Sequence, residues 1–136
     1  MKKAQRILLV DDDLDDQIYF RDAVNEVSPS LQCEVANNGC EALKQIEIPP
    51  PPDLIFMDLN MPVMNGYECL VTLRKMDQYK DIPIIIFTTS NSSQDIAQAK
   101  KLGAALYFTK PADFKMLCNQ LDRILDLDFS QFNFVL

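Results

Sequence analysis

Leu54-Ile55-Phe56-Met57-Asp58 decides the reading of this chain. An apolar run of strand length feeds a single carboxylate, so a buried strand ends in a charged group. Three other segments repeat the arrangement. Ile7-Leu8-Leu9-Val10 leads into Asp11-Asp12-Asp13, and Ile84-Ile85-Ile86-Phe87 leads into Thr88-Thr89-Ser90. Ala105-Leu106-Tyr107-Phe108-Thr109 leads into Lys110-Pro111. Strands that are apolar throughout are expected where helices cover both faces of a parallel sheet. In such a sheet the strand ends share one edge. Three acids, a hydroxyl and an amine should therefore converge there.

Between these segments apolar residues recur at helical spacing. Phe20, Ala23, Val24 and Val27 form one stripe, and Ala42, Leu43 and Ile46 a second. Cys69, Leu70, Leu73 and Met76 form a third, and Phe114, Leu117, Leu121 and Ile124 mark a long last one. The fourth helix, about residues 92–102, has only Ile96, Ala97 and Ala99 to anchor it and reads as a candidate moving part. Asp13 or a neighbour can cap the first helix, with Asp15 and Asp16 read as solvated charges that offset its dipole. Pro49-Pro50-Pro51-Pro52 ends the second helix and forces an extended approach to the Asp58 strand. The alternating segment Gln32-Cys33-Glu34-Val35-Ala36 suits an edge strand, and the segment at 105–109 is placed at the opposite edge. Alternating strands and helices predict an α/β fold. Right-handed crossovers then favour a doubly wound parallel sheet of order 2-1-3-4-5. Its switch point falls between the Asp11/Asp12 strand and the Asp58 strand, where ligands bind in such sheets.

The 136 residues are enough for one domain with its own core. A formal charge of −7 argues against nucleic acid and anionic lipid as partners. No apolar run approaches the roughly 20 residues of a membrane helix. Cys33, Cys40, Cys69 and Cys118 are scattered, as expected of reduced thiols in a cytoplasmic protein. Histidine is absent, which removes histidine-based general-base and metal chemistry; a phosphohistidine step would have to occur on another protein.

Two carboxylates ~5 Å apart repel by roughly 3 kcal/mol at an effective dielectric constant of ~20. Clustered acids therefore call for a cation or a proton. Oxygen ligands without histidine or cysteine favour Mg²⁺, or Mn²⁺, over zinc. A carboxylate held beside such a metal can attack phosphorus and form an acyl phosphate. A lysine and a hydroxyl donor then stabilise the transferred group.

Residues of about 5 to 126 resemble the receiver domain of two-component response regulators. The resemblance is carried by Ile7-Leu8-Leu9-Val10-Asp11-Asp12, by Met57-Asp58-Leu59-Asn60-Met61-Pro62 with Asn65-Gly66, by Phe87-Thr88 and by Lys110-Pro111. It implies a flavodoxin-like (βα)5 fold with Asp58 as phosphoacceptor. It further implies that Asp12 binds Mg²⁺ directly, Asp11 largely through water, and Asn60 through its backbone carbonyl. Lys110, aimed by a cis Lys110–Pro111 peptide, would pair with the phosphoryl group, and Thr88 would donate its hydroxyl. Tyr107 would then turn inward from the fourth-helix/fifth-strand face and change partner binding. The phosphoryl donor would be a sensor histidine kinase or phosphotransfer protein, with the phosphate either terminal or relayed onward. Ala112 departs from the family, which often has a bulky apolar residue there.

Residues 1–126 are thus read as a receiver domain and 127–136 as an apolar tail too short for an output domain. Phe129, Phe132, Phe134 and Leu136 in that tail should pack on the domain itself or pair across a homodimer resembling the phytochrome-associated regulators. Three other readings compete. A phosphatase using Asp58 as nucleophile lacks the expected second acid, since Asn60 stands two residues on. A flavin-binding protein would need a phosphate cradle where Asp11-Asp12-Asp13 stands. The third reading is a phosphate-independent interaction module on the same fold. No turnover of an external substrate is expected, only catalysis of the chain's own phosphorylation and dephosphorylation.

Overall fold

The computed structural model describes residues 4–127 and 134–136. Strands β1 (Arg6–Val10), β2 (Gln32–Ala36), β3 (Leu54–Met57), β4 (Ile84–Thr88) and β5 (Leu106–Thr109) alternate with helices. The helices are α1 (Leu14–Val27), α2 (Gly39–Ile46), α3 (Gly66–Arg74), α4 (Ser93–Lys101) and α5 (Phe114–Leu125). The strands form one parallel sheet in the order β2-β1-β3-β4-β5.

Strand alternation divides the core in two. On β1, Leu8 and Val10 face the layer built by Ala42 and Ile46 of α2, Leu70 and Leu73 of α3, and Ala99 of α4. Ile7 and Leu9 face the layer of α1 and α5, with Phe20, Val24, Leu117 and Leu121. Phe20 meets Phe56 edge-on at 4.9 Å, and Phe87 meets Phe108 at 5.0 Å, filling the second layer beneath the strand ends. Every residue of β3 and β4 is buried, as two-sided cover demands.

Some local expectations shift. β4 begins at Ile84, just past Pro83, which has no N–H for the ladder and whose carbonyl instead accepts from Ile55 N–H at 3.0 Å. The cis bond among the described residues is Pro49–Pro50; Lys110–Pro111 is trans, against the expectation drawn from the resemblance. β5 lies at the sheet edge as predicted, yet Leu106, Tyr107 and Phe108 are all buried. Part of the reason is the C-terminal segment. Tyr107 N–H donates to the Phe134 carbonyl and Leu136 N–H to the Tyr107 carbonyl, both at 2.8 Å, in a parallel bridge of Val135 to Tyr107. The Phe129 and Phe132 expectations lie outside the described residues. No helix among the described residues is long and apolar enough to cross a membrane.

Candidate functional site: an acidic centre at the strand ends

The backbone ladder continues one step past each strand and places the reactive side chains. Asp11 N–H donates to the Ala36 carbonyl at 3.0 Å, and Asp58 N–H to the Val10 carbonyl at 2.9 Å. Lys110 N–H donates to the Thr88 carbonyl at 2.7 Å. Asp58 is also fixed from below α3. A Cβ on Gly66 would come within 2.2 Å of the Asp58 carbonyl oxygen, so only glycine permits this approach. Asn65 and Glu68 then start α3 there with a reciprocal capping box.

The charges meet at Lys110. Its Nζ donates to Asp11 Oδ2 at 2.7 Å, Asp16 Oδ2 at 2.8 Å and Asp58 Oδ2 at 3.2 Å. It also lies 5.5 Å from the centre of the Phe87 ring. Asp58 Oδ1 accepts from Leu59 N–H at 2.7 Å, and Asp11 Oδ1 from Asp13 N–H at 2.9 Å. Gln17 reaches back to the Asp11 carbonyl at 2.6 Å. Burial pushes the Asp11 carboxyl above its ordinary range, against the pull of Lys110. Burial alone would lower Lys110, but hydrogen bonds to Asp11 and Asp16, and the charges of Asp11 and Asp58, raise it, so it stays an ammonium at neutral pH.

Asp12 is exposed at the mouth of the site. One oxygen each of Asp11, Asp12 and Asp58 lies within 4.8 Å of the others. This all-oxygen set, with Asp11 and Asp58 buried and Asp12 exposed, fits a hard divalent cation that keeps several waters. Asn60 lines the same open cleft as Asp12, Asp58, Thr89 and Lys110. Thr88 is fully buried, and its Oγ1 has no hydrogen-bond partner. Such an orphan hydroxyl is costly unless a ligand completes it.

Tyr107 was expected to turn inward only on activation. It is already wholly buried, its hydroxyl donating to the Ser90 carbonyl at 2.8 Å. Asp13, as anticipated, caps α1 by accepting from Asp16 N–H at 3.0 Å. Asp16, anticipated as a solvated charge, instead holds Lys110. Nothing in its local sequence separates it from Asp15, which is exposed.

With this geometry in place, comparison with known proteins gives one family. The response regulator receiver domain matches residues 7–122. The chain belongs to that family. As a receiver domain of two-component systems it is 32% identical to sporulation initiation phosphotransferase F of Bacillus subtilis, over 90% of this chain and 95% of that one. It is 34% identical to the CAI-1 autoinducer sensor kinase/phosphatase CqsS of Vibrio cholerae, over 88% of this chain but only 17% of that one. The phosphorylated cyanobacterial phytochrome response regulator RcpA superposes with a TM-score of 0.83 at 26% identity, covering 95% of this receiver and 96% of RcpA. The Mn²⁺-bound response regulator Rcp1 superposes with a TM-score of 0.80 at 25% identity, covering 96% and 98%.

Proposed function

We propose that Asp58 of this receiver accepts a phosphoryl group from the phosphohistidine of a sensor histidine kinase or phosphotransfer protein. The observation that carries the reading is the arrangement around Asp58. Its carboxylate stands beside Asp11 and Asp12, receives Lys110 Nζ at 3.2 Å, and lies one strand from the orphan hydroxyl of Thr88. Asp58 attacks phosphorus, the phosphorus–nitrogen bond of the donor breaks, and its electron pair returns to the imidazole, which takes a proton from water. Lys110 shifts its Asp58 hydrogen bond to a phosphoryl oxygen, and Thr88 donates its hydroxyl to another. Mg²⁺, or Mn²⁺, held by Asp11, Asp12, Asp58 and the Asn60 carbonyl, would offset the charge on the transferred group.

Phosphorylation adds about −1.5 to −2 charges at one strand end. Thr88 and Tyr107 lie on the same sheet face, since Ile86 pairs with Tyr107 and Thr88 with Thr109. Movement of Thr88 toward the phosphoryl group therefore changes the packing of Tyr107. The output is a population shift of the α4–β5–α5 face and of the partners that read it. This is a phosphoprotein of the cytoplasm, acting terminally or in a phosphorelay, with no external substrate turned over.

Incubation with acetyl phosphate and Mg²⁺, followed by intact-mass measurement, tests the proposal. One phosphate adduct is expected on the wild type, and none without Mg²⁺ or in Asp58→Asn. Folded wild type that takes neither phosphate nor beryllofluoride would instead be a phosphate-independent interaction module.

A further inference from the structure

We propose that Asp16 is a positioning residue that, through Lys110, trades phosphoryl affinity at Asp58 for cation affinity. The inference rests on Asp58 being the phosphoacceptor. Asp16 sits in the first turn of α1, where an acid ordinarily serves only the helix dipole. Its Oδ2 instead takes Lys110 Nζ at 2.8 Å, matching the 2.7 Å of buried Asp11 and closer than the 3.2 Å of Asp58. The contact is built in rather than incidental. Asp13 accepts Asp16 N–H at 3.0 Å, which sets the turn that carries Asp16, and Lys110 is itself only 10% exposed.

An ammonium has three N–H donors, and here three carboxylates share them. A phosphoryl group on Asp58 inherits the donor now given to Asp58 Oδ2. A second phosphoryl oxygen could recruit only a donor that Asp11 or Asp16 holds. Asp16 thus limits how much of Lys110 the phosphoryl group receives. The same carboxylate adds a negative charge no more than about 6 Å from the Asp58 oxygen, since both bond one nitrogen. That charge repels a phosphoryl group and attracts a divalent cation. The two effects on ligands of opposite sign must therefore run in opposite directions.

Asp16→Asn keeps the shape and one carbonyl oxygen and removes the charge. Calorimetric titration of Mg²⁺, then of beryllofluoride at saturating Mg²⁺, reads both affinities on the full chain. In the variant, Mg²⁺ binding should weaken about threefold and beryllofluoride should bind about three- to tenfold tighter, the range for one charge at this separation in a partly solvated site. The phosphorylated form should decay more slowly after acetyl phosphate is removed, and Asp16→Glu should restore wild-type values. Weakening of both ligands together assigns Asp16 a merely structural role and overturns the inference. So does a variant indistinguishable from a wild type that binds both. A wild type that takes neither beryllofluoride nor phosphate overturns the phosphoacceptor reading itself, and the role of Asp16 with it.

Discussion

Replacing a cation shared by several acids leaves those acids to repel one another, so the cost falls on the whole site rather than on one bond. Lys110→Ala should lower stability in the absence of divalent cations by about 2–4 kcal/mol, the cost of stripping a partner from a largely buried ion pair. Added Mg²⁺ should recover part of the loss. Urea unfolding with and without Mg²⁺ reads both effects; unchanged stability would mean that Lys110 is not what neutralises Asp11 and Asp58. The raised pKa of Lys110 fixes the pH dependence. Its stabilisation is fully present below the ordinary lysine value of about 10.4 and is lost only as pH rises through the higher folded value. Asp11, Asp12, Asp58 and Lys110 were legible in the sequence because each stands within two residues of the end of an apolar strand, and the ladder carries it to the common edge. Asp16 was not. An acid in a helix's first turn already has an ordinary explanation, and its reach toward Lys110 depends on how α1 leaves β1 and packs against α5.

At the scale of elements, α4 buries only Ala99 through its length, so polar tethers hold it in place. Asp95 accepts from Ser90 Oγ and Tyr67 hydroxyl, both at 2.5 Å, which joins α4 to α3 and to the loop after β4. Those two hydrogen bonds hold the Asp95 carboxyl below its ordinary range against a smaller opposing effect of burial. A depressed carboxyl contributes stability above the unfolded value of about 3.9 and loses it as pH falls through the lower folded value. Asp95→Asn should therefore cost about 0.5–1 kcal/mol near neutrality, the discounted worth of a half-exposed charge-assisted pair. The gap from wild type should close on acidification, and a gap constant down to about pH 2 would exclude the charge of Asp95 as its cause. The thin apolar stripe of α4 was readable from residue spacing. The tether was not, because Tyr67 and Asp95 are 28 positions apart and meet only once α3 and α4 share a sheet face. The start of α3 gives a sharper expectation. Gly66→Ala must push the Asp58 carbonyl away, which should destabilise the chain by about 1–3 kcal/mol and slow adduct formation with acetyl phosphate. Normal stability and normal phosphorylation together would mean that the strand end yields freely.

At the scale of the molecule, handed crossovers and the all-apolar strands already dictated sheet order, but nothing periodic marked residues 134–136 as a partner for β5. A bridge this short leaves no alternation to read. Its consequences extend beyond its length. The two backbone hydrogen bonds of the bridge clasp Tyr107, Phe134 packs 6.4 Å from the Tyr107 ring, and Lys100 of α4 lies 5.8 Å from the centre of the Phe134 ring. Leu136 joins the opposite core layer. The segment therefore touches the strand, helix and aromatic residue through which the proposed signal leaves, and it blunts a sheet edge that would otherwise offer unpaired backbone groups. Removing residues 134–136 should cost about 1–3 kcal/mol, from two backbone hydrogen bonds and partial burial of Phe134 and Leu136. Because the strand is seated within its own chain, wild type and truncated protein should both show the mass of one chain in light scattering. A homodimer through the C-terminal region would have copies either exchange this strand or meet on the exposed surface around it, where Val135 is 48% exposed. Wild type at twice the mass, falling to one chain on truncation, would establish a homodimer through this segment and overturn the single chain as the solution state.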